Sequence, residues 1–477
     1  MIKDLRKTSI VCTLGPATED RIEELFRAGM NVARINFSHG GREENKSKVE
    51  KFKEVRSRLG IPAALMLDTQ GPEIRTGKLE EAFPDGVEIF DGQEFVLKNN
   101  GVLTNQGQAS ISYSELYQDL NPGNRILIDD GDIELEVQYI DNGEIHCKVI
   151  DGGILKSRKS VNVPGIYLNN PTLSQKDIDD LRYAAEEEFE FVAASFIRNK
   201  DDILTIRRVL DDHGGNDVEI IAKIENQQSL ENIDEILESS DGIMIARGDL
   251  AVEIPFVEVP IWQKELISKS NKMDKPVIVA TQMLESMINN PTPTRAEASD
   301  VANAVYDKAS AVMLSGETAV GKYPIKCVET MSNICKKVES KLNYWGRIRN
   351  LPISRTDLET DAVVMVVNTA KELNADLIIA YTNSGKSVKK LAGFGPTSPT
   401  FAITDNWKTY NKLALAWNVV PMFIEKEEII DNMIEKAIYK MKETNIVNQG
   451  DLVILTGGKD YLNGVSQSKR IGGVTII

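Results

Sequence analysis

The sequence predicts an α/β protein: a (β/α)8 barrel, interrupted by an inserted β lid domain and followed by a C-terminal open α/β domain. Three observations carry that expectation. Short apolar runs recur eight times, with amphipathic stretches between most of them. One interval of 99 residues changes to short strands punctuated by Gly, Asn and Asp. A second count of strands and helices begins after about residue 352.

The eight runs are 9–14, 31–37, 63–68, 191–196, 219–225, 242–246, 276–281 and 311–315. Most are continuous rather than alternating, as parallel strands covered on both faces require. The stretch 229–237 is typical of what lies between them: Leu230, Ile233, Ile236 and Leu237 repeat at helical spacing. Eight such βα units suggest a closed barrel. Between Thr69 and about Pro171 the runs shorten to 88–90, 94–97, 125–128, 134–137 and 145–150, separated by Asp91-Gly92, Asn99-Asn100-Gly101 and Asn142-Gly143. Such pairs mark hairpin turns. The insertion is expected over 70–168, splitting the barrel into 1–69 and 169–345. It leaves after the third strand, where a domain can close over the catalytic face. The C-terminal domain is expected over 346–477, with strands at 376–381, 400–403, 419–423, 451–456 and 473–477 and helices at 361–373 and 426–443.

Composition narrows the function. At 42% hydrophobic and 27% charged residues, the chain is an ordinary globular mixture, not a disordered, collagenous or disulfide-built one. Its 56 basic against 72 acidic residues give a net charge of −16. That excludes a nucleic-acid surface, which needs Lys and Arg to neutralise phosphates, but leaves room for a small anion in a locally basic pocket. Cys12, Cys147, Cys327 and Cys335 form no CxxC pair, and His39, His146 and His213 are scattered. A structural zinc site therefore has little support, and unpaired cysteines fit a reducing compartment. No apolar run is long enough to span a membrane, and the first residues lack the apolar core of a signal peptide. The expectation is a cytoplasmic protein with no membrane and no nucleic-acid partner.

In a barrel, polar residues at the C-terminal ends of the strands face the active site. Five ends are unusually polar: Arg34 to Gly40, Asp68 to Arg75, Lys223 to Asn226, Arg247 to Asp249, and Thr281-Gln282. Lys223 and Glu225, two apart on one strand, point to the same side. Glu225 and Asp249 lie on successive strands, where two carboxylates could share a hard divalent ion, Mg²⁺ or Mn²⁺. Either residue alone reads better as part of a buried Lys–Glu pair with a capping Asp; the five ends together favour a site. Asn36, Ser38, Asp68 and Thr69 offer short oxygen donors suited to a weakly held monovalent cation, or an ordinary hydrogen-bonded junction. Arg34, Arg75 and Lys223 are candidate anion partners, which could stabilise charge on a phosphoryl group in transfer or form plain salt bridges. The Thr281 hydroxyl could relay a proton or simply bond to a neighbouring carbonyl. In the C-terminal domain, Thr382-Asn383-Ser384-Gly385-Lys386-Ser387 follows a strand and opens a helix, a ready anion site. Ala380 stands where a nucleoside-triphosphatase loop needs Gly, so phosphate binding remains and the triphosphatase reading falls. A plain strand-to-helix turn is as good a reading of that loop from spacing alone.

Six motifs now carry a resemblance. Asn36-Phe37-Ser38-His39-Gly40, Asp68 to Gly77, Lys223-Ile224-Glu225-Asn226, Ala246 to Leu250, Ala280 to Met287 and Leu314 to Ala319 resemble the pyruvate kinase family, in order and over nearly the whole chain. The resemblance implies transfer of the phosphoryl group of phosphoenolpyruvate to ADP, giving ATP and pyruvate. It implies a TIM barrel with an inserted β-barrel lid domain and a C-terminal regulatory domain, in a homotetramer needing Mg²⁺ and K⁺. By motif, Glu225 and Asp249 would hold Mg²⁺, and Asn36, Ser38, Asp68 and Thr69 would ligate K⁺, with Glu73 linked to K⁺ dependence. Lys223 would bridge the phosphoryl group in flight, and Arg34 and Arg75 would contact phosphates. Thr281 would bind the substrate carboxylate and help protonate the enolate, Gly248 and Asp249 would contribute backbone N–H groups, and Ser195 and Phe196 would line the pocket. Asn36, His39 and Arg75 would lie on the nucleotide side. The loop from Thr382 to Ser387 resembles the family's effector site and suggests a sugar phosphate such as fructose 1,6-bisphosphate, with Lys459 in a covering loop.

There are departures. Gln70 stands where many members have Lys, Ala251 where Gly often follows, and Asp132 where an apolar residue is common; Asn169-Asn170-Pro171 is also unusual. None removes a catalytic group, though they bear on how the lid moves. Two other functions compete with this reading: a non-catalytic metabolite sensor on the same fold, and another barrel enzyme of phosphoenolpyruvate or pyruvate. The intact set of Lys223, Glu225, Asp249 and Thr281 argues against the first; the lid and the phosphate loop argue against the second.

Overall fold

The computed structural model of the chain describes residues 5–38, 40–347, 357–457 and 473–477. Three barrel strands come first: β1 (Ser9–Thr13), β2 (Val32–Asn36) and β3 (Ala64–Asp68). The insertion holds β4 (Val87–Ile89), β5 (Glu94–Lys98), β6 (Gln108–Ser110), β7 (Arg125–Ile128), β8 (Ile133–Asp141), β9 (Glu144–Asp151), β10 (Gly153–Leu155) and β11 (Val161–Asn162). The barrel then resumes with β12 (Phe191–Ala194), β13 (Glu219–Ile224), β14 (Gly242–Ala246), β15 (Val277–Ala280) and β16 (Ala311–Leu314). These five and the first three close in the order β1-β16-β15-β14-β13-β12-β3-β2, every pair parallel.

Continuous apolar strands are what this closure demands, because each strand feeds two cores. Val11, Val32, Met66, Ile221, Met244 and Ile278 pack inside the barrel. Their neighbours Ile10, Cys12, Ala33, Leu65, Ile220 and Ile243 pack outward against the helices. The helical stretch 229–237 is two helices, Gln227–Glu231 and Ile233–Ser239, with Leu230, Ile233, Ile236 and Leu237 all buried. The Asn226 side chain caps the first of them by accepting from Ser229 N.

The insertion is a curled six-stranded sheet, β11-β7-β8-β9-β5-β6, beside a β10-β4 ribbon. Its longest hairpin turns at Asn142 and Gly143, with φ 51° and 82°, the left-handed pair that a two-residue turn between right-twisted strands requires. Phe95, Ile126, Leu135, Val137 and Ile145 give it a core of its own. The chains entering and leaving it pair at Arg75 and Ser160. Four of its strands, β4, β6, β10 and β11, are no more than three residues long. Such segments carry little readable alternation; β4 corresponds to the expected run 88–90, and β6, β10 and β11 are absent from the sequence expectation.

The C-terminal domain is a five-stranded sheet of β17 (Leu377–Tyr381), β18 (Thr400–Thr404), β19 (Val419–Phe423), β20 (Leu452–Gly457) and β21 (Gly473–Ile476), in the order β19-β18-β17-β20-β21. All pairs are parallel except the last. It docks under the barrel, where Leu415 joins the inner core and Lys389 pairs with Glu219 at the first residue of β13. Among the described residues no helix is long and apolar enough to cross a membrane. The four cysteines are buried and free.

Candidate active site

Parallel strands present their C-terminal ends on one face, and the polar ends of β2, β3, β12 and β13 meet there in a buried cluster. Asp68, ending β3, is the hub. Its Oδ2 accepts from Arg34 Nε at 2.6 Å, and its Oδ1 accepts from Lys223 Nζ at 3.2 Å. Arg34 also donates to the Thr13 hydroxyl at 2.9 Å, fixing its fork from the β1 side. Lys223 Nζ lies 2.8 Å from Glu225 Oε1 and 2.8 Å from the Ser195 hydroxyl. Ser195 in turn donates to the Thr69 carbonyl at 2.7 Å. Phe196, in a left-handed backbone conformation, donates its N–H to Glu225 Oε2 at 2.6 Å.

The electrostatics follow from burial and neighbours. Burial pushes Asp68 upward, but Arg34 and Lys223 more than offset it and hold its carboxyl below the ordinary range. Burial pulls Lys223 downward, but Asp68, Glu225 and Asp249 reverse that and keep it protonated. Glu225 and Asp249 go the other way. Burial raises both, and Lys223, already shared with Asp68, offsets this only in part. One buried carboxylate, Glu225, and one half-buried, Asp249, both short of positive charge, are a donor set that a divalent cation satisfies. Among the described residues no group of three or more His, Cys, Asp or Glu could hold a metal. Two carboxylates fit Mg²⁺ all the same, since it keeps several waters and takes substrate oxygens. The amide of Asn36, whose Oδ1 accepts from Ser38 N at 3.0 Å, and the Thr69 carbonyl lie beside Asp68 in this cluster's strand ends. Neutral oxygens with one carboxylate suit a monovalent cation better than a divalent one.

Above β14 and β15 the chain turns sharply. Gly248 N, in the helix Arg247–Glu253, donates to the Thr281 hydroxyl at 2.8 Å, and that hydroxyl donates to the Ala280 carbonyl at 2.7 Å. A cleft separates this face from the insertion; Glu73, Asp130, Asn162, Phe196, Asp249 and Glu253 are among its walls. Arg34 and Lys223 belong to the buried cluster and not to the cleft wall, and Asp249, within electrostatic reach of Lys223, joins the two. Asn162 of the insertion donates to Glu253 at 2.8 Å across the cleft. Arg75 lies at the foot of the insertion, paired with Glu73 at 2.7 Å and donating to the Arg158 carbonyl at 2.8 Å. Its partners are therefore lid residues and not the Asp68 cluster. His39 and Lys459 lie outside the described residues.

The C-terminal loop is an ordered turn. The buried Thr382 hydroxyl accepts from Gly385 N at 2.9 Å, and Thr409 donates to the Asn383 carbonyl at 2.6 Å. Gly385 takes a left-handed φ of 81° to start the helix Lys386–Phe394, which leaves Ser384, Lys386 and Ser387 around the helix start. Sequence reasoning missed Thr13, Asn162, Glu253 and the partners of Arg247. A hydroxyl ending β1 was the one signal for Thr13; the others depend on chain segments far apart in sequence.

Two family models match the chain: "Pyruvate kinase, barrel domain" over residues 5–328 and "Pyruvate kinase, alpha/beta domain" over residues 361–468. Curated relatives carrying the name pyruvate kinase are similar over most of its length. The Staphylococcus epidermidis protein is 46% identical over 464 residues, covering 95% of this chain and 78% of the relative. Those of Bacillus licheniformis and Geobacillus stearothermophilus are each 44% identical with the same coverage.

Proposed function

The chain belongs to the pyruvate kinase family, and from that premise we propose how its residues divide the work. It transfers the phosphoryl group of phosphoenolpyruvate to ADP, yielding pyruvate and ATP. The observation that carries the reading is the Lys223 ammonium held between Asp68 at 3.2 Å and Glu225 at 2.8 Å, charged and buried at the mouth of the barrel. A fixed positive group there meets charge that develops on a phosphoryl group passing between two oxygens. Arg34, anchored by Asp68 and Thr13, holds a phosphate oxygen beside it. Arg75, on the lid linker, contacts phosphate when the lid closes, and Asn36 and His39 lie toward the nucleotide. Glu225 and Asp249 would hold Mg²⁺ (or Mn²⁺), and Asn36, Ser38, Asp68 and Thr69 would hold K⁺; when bound, these ions would supply positive charge for the phosphoryl and enolate oxygens.

Loss of the phosphoryl group leaves an enolate that must be protonated. Gly248 and Asp249 N–H groups and Thr281 hold the substrate carboxylate, with Ser195 and Phe196 closing the pocket. Thr281, or a water it holds, gives the proton. The Asn162–Glu253 bond supports a lid that closes and excludes water. The loop Thr382, Asn383, Ser384, Gly385, Lys386 and Ser387 binds a sugar phosphate effector. The molecule works as a homotetramer in the cytoplasm, a setting its buried free thiols suit. No observation favours a non-catalytic sensor.

The test is pyruvate formation from phosphoenolpyruvate and ADP, measured with Mg²⁺ and with or without K⁺. Activity that needs Mg²⁺ and rises with K⁺ is expected; no pyruvate under any of these conditions overturns the reading. For the effector, fructose 1,6-bisphosphate should shift the phosphoenolpyruvate saturation curve of the wild type. The Thr382→Ala, Ser387→Ala double variant should lose that shift; a curve unmoved in the wild type removes the effector claim.

A further inference from the structure

Thr281 is β-branched yet sits at φ 67°, and Gln282 follows at φ 54°. Two successive left-handed residues, neither glycine, persist only where surrounding groups hold them. Arg247 is such a group. Its Nη2 donates to the Thr281 carbonyl at 2.6 Å and its Nε to the Ala280 carbonyl at 3.2 Å, so one guanidinium grips the carbonyls of both residues. Its other side is fixed by Asp300 at 2.7 Å and by Gln263 at 3.3 Å. The side chain is 13% exposed, and its planar fork suits this two-sided geometry in a way an ammonium does not. The very next residue, Gly248, holds the Thr281 hydroxyl at 2.8 Å. Residues 247 and 248 thus hold Thr281 by its backbone and by its side chain at once.

We propose that Arg247 is the positioning residue for proton delivery: it fixes the left-handed Thr281 so that the hydroxyl stays at the Gly248 N–H, next to Asp249. The inference rests on the reading of Thr281 as the proton relay. In that step a C–H bond forms at the enolate carbon as an O–H bond of Thr281 or its water breaks, and solvent water returns the proton. Arg247 touches none of these atoms and acts through Thr281 alone.

The experiment compares wild type, Arg247→Met, Arg247→Lys, Thr281→Ala and the Thr281→Ala, Arg247→Met double variant. Each is read for kcat, for the KM of phosphoenolpyruvate, and for exchange of pyruvate methyl hydrogens into D2O by NMR. Arg247→Met is expected to slow exchange ~10- to 100-fold while KM moves less than ~3-fold, with Arg247→Lys recovering part of the loss. On the Thr281→Ala background the same change should move exchange less than ~2-fold, because its route is already gone. An equal loss on both backgrounds overturns the positioning role and leaves the Thr281 reading standing. Wild-type exchange in Thr281→Ala overturns the Thr281 reading itself. If Arg247→Met does not fold, Asp300→Asn keeps the guanidinium and loosens its outer anchor. Exchange should then fall ~3- to 10-fold with the unfolding temperature nearly unchanged, and unaltered exchange contradicts the proposal.

Discussion

The two ends of the barrel are both charged, and they differ in how the charges are matched. At the floor, two carboxylates each have a cation of their own: Glu190 takes Arg56 at 2.8 Å and the Leu65 N–H at 2.7 Å, and Glu219 takes Lys389 at 2.5 Å. In the Asp68 cluster at the mouth, two cations, Arg34 and Lys223, face three carboxylates, Asp68, Glu225 and Asp249. Of the floor pairs, Glu219–Lys389 fastens the C-terminal domain to the strands, and Glu190–Arg56 fastens the helix Arg42–Leu59 to them. Surplus negative charge at the mouth is what a divalent ion and an anionic substrate complete between them. The same residue types therefore serve docking at one end and chemistry at the other, and the balance separates the two roles.

That contrast can be broken by substitution. The largest effect is expected for Lys223→Met, which should lower kcat for pyruvate formation by ~10³-fold or more, since the fixed charge acts where charge develops. Asp249→Asn comes next: the Mg²⁺ concentration for half-maximal activity should rise by ~10- to 100-fold, with kcat partly recovered at saturating metal. At the floor the signature reverses. Glu219→Gln strands a cation that is only partly exposed, so stability should fall by about 2–4 kcal/mol in urea unfolding while kcat moves less than ~3-fold. A large kcat loss in Glu219→Gln would mean that the floor is coupled to catalysis.

The smallest effect is a slope with pH. Asp180 bonds to Lys176 at 2.6 Å, yet burial raises its carboxyl to about 6. A raised carboxyl binds its proton more tightly in the folded chain than in the unfolded one. Its contribution is therefore complete at low pH and is lost as pH climbs from ~4 toward 6. Asp180→Asn should flatten that part of the stability curve measured by denaturant titration. A slope unchanged in the variant assigns it to another group.

Much of this was legible in the sequence, for physical reasons. Parallel barrel strands are buried on both faces, so they read as continuous apolar runs, and Asn142-Gly143 announced its hairpin because a primed turn needs left-handed residues. The polar strand ends stood out against that background. Pairings between distant segments stayed illegible. Nothing in Arg247 names Asp300 or the Thr281 carbonyl as its partners, and nothing in Asn162 names Glu253. Arg75 shows the same limit at short range: its spacing marked it as a cation but did not name Glu73, two residues away on the lid linker, as its partner.

The central claim is that the surplus charge at the mouth is a divalent-cation site. Its most direct test is Mn²⁺ binding followed by electron paramagnetic resonance on wild type and on Glu225→Gln, without substrates. Bound Mn²⁺ is expected in the wild type, with affinity weakened by at least ~10-fold in the variant. Equal binding by both proteins would contradict it.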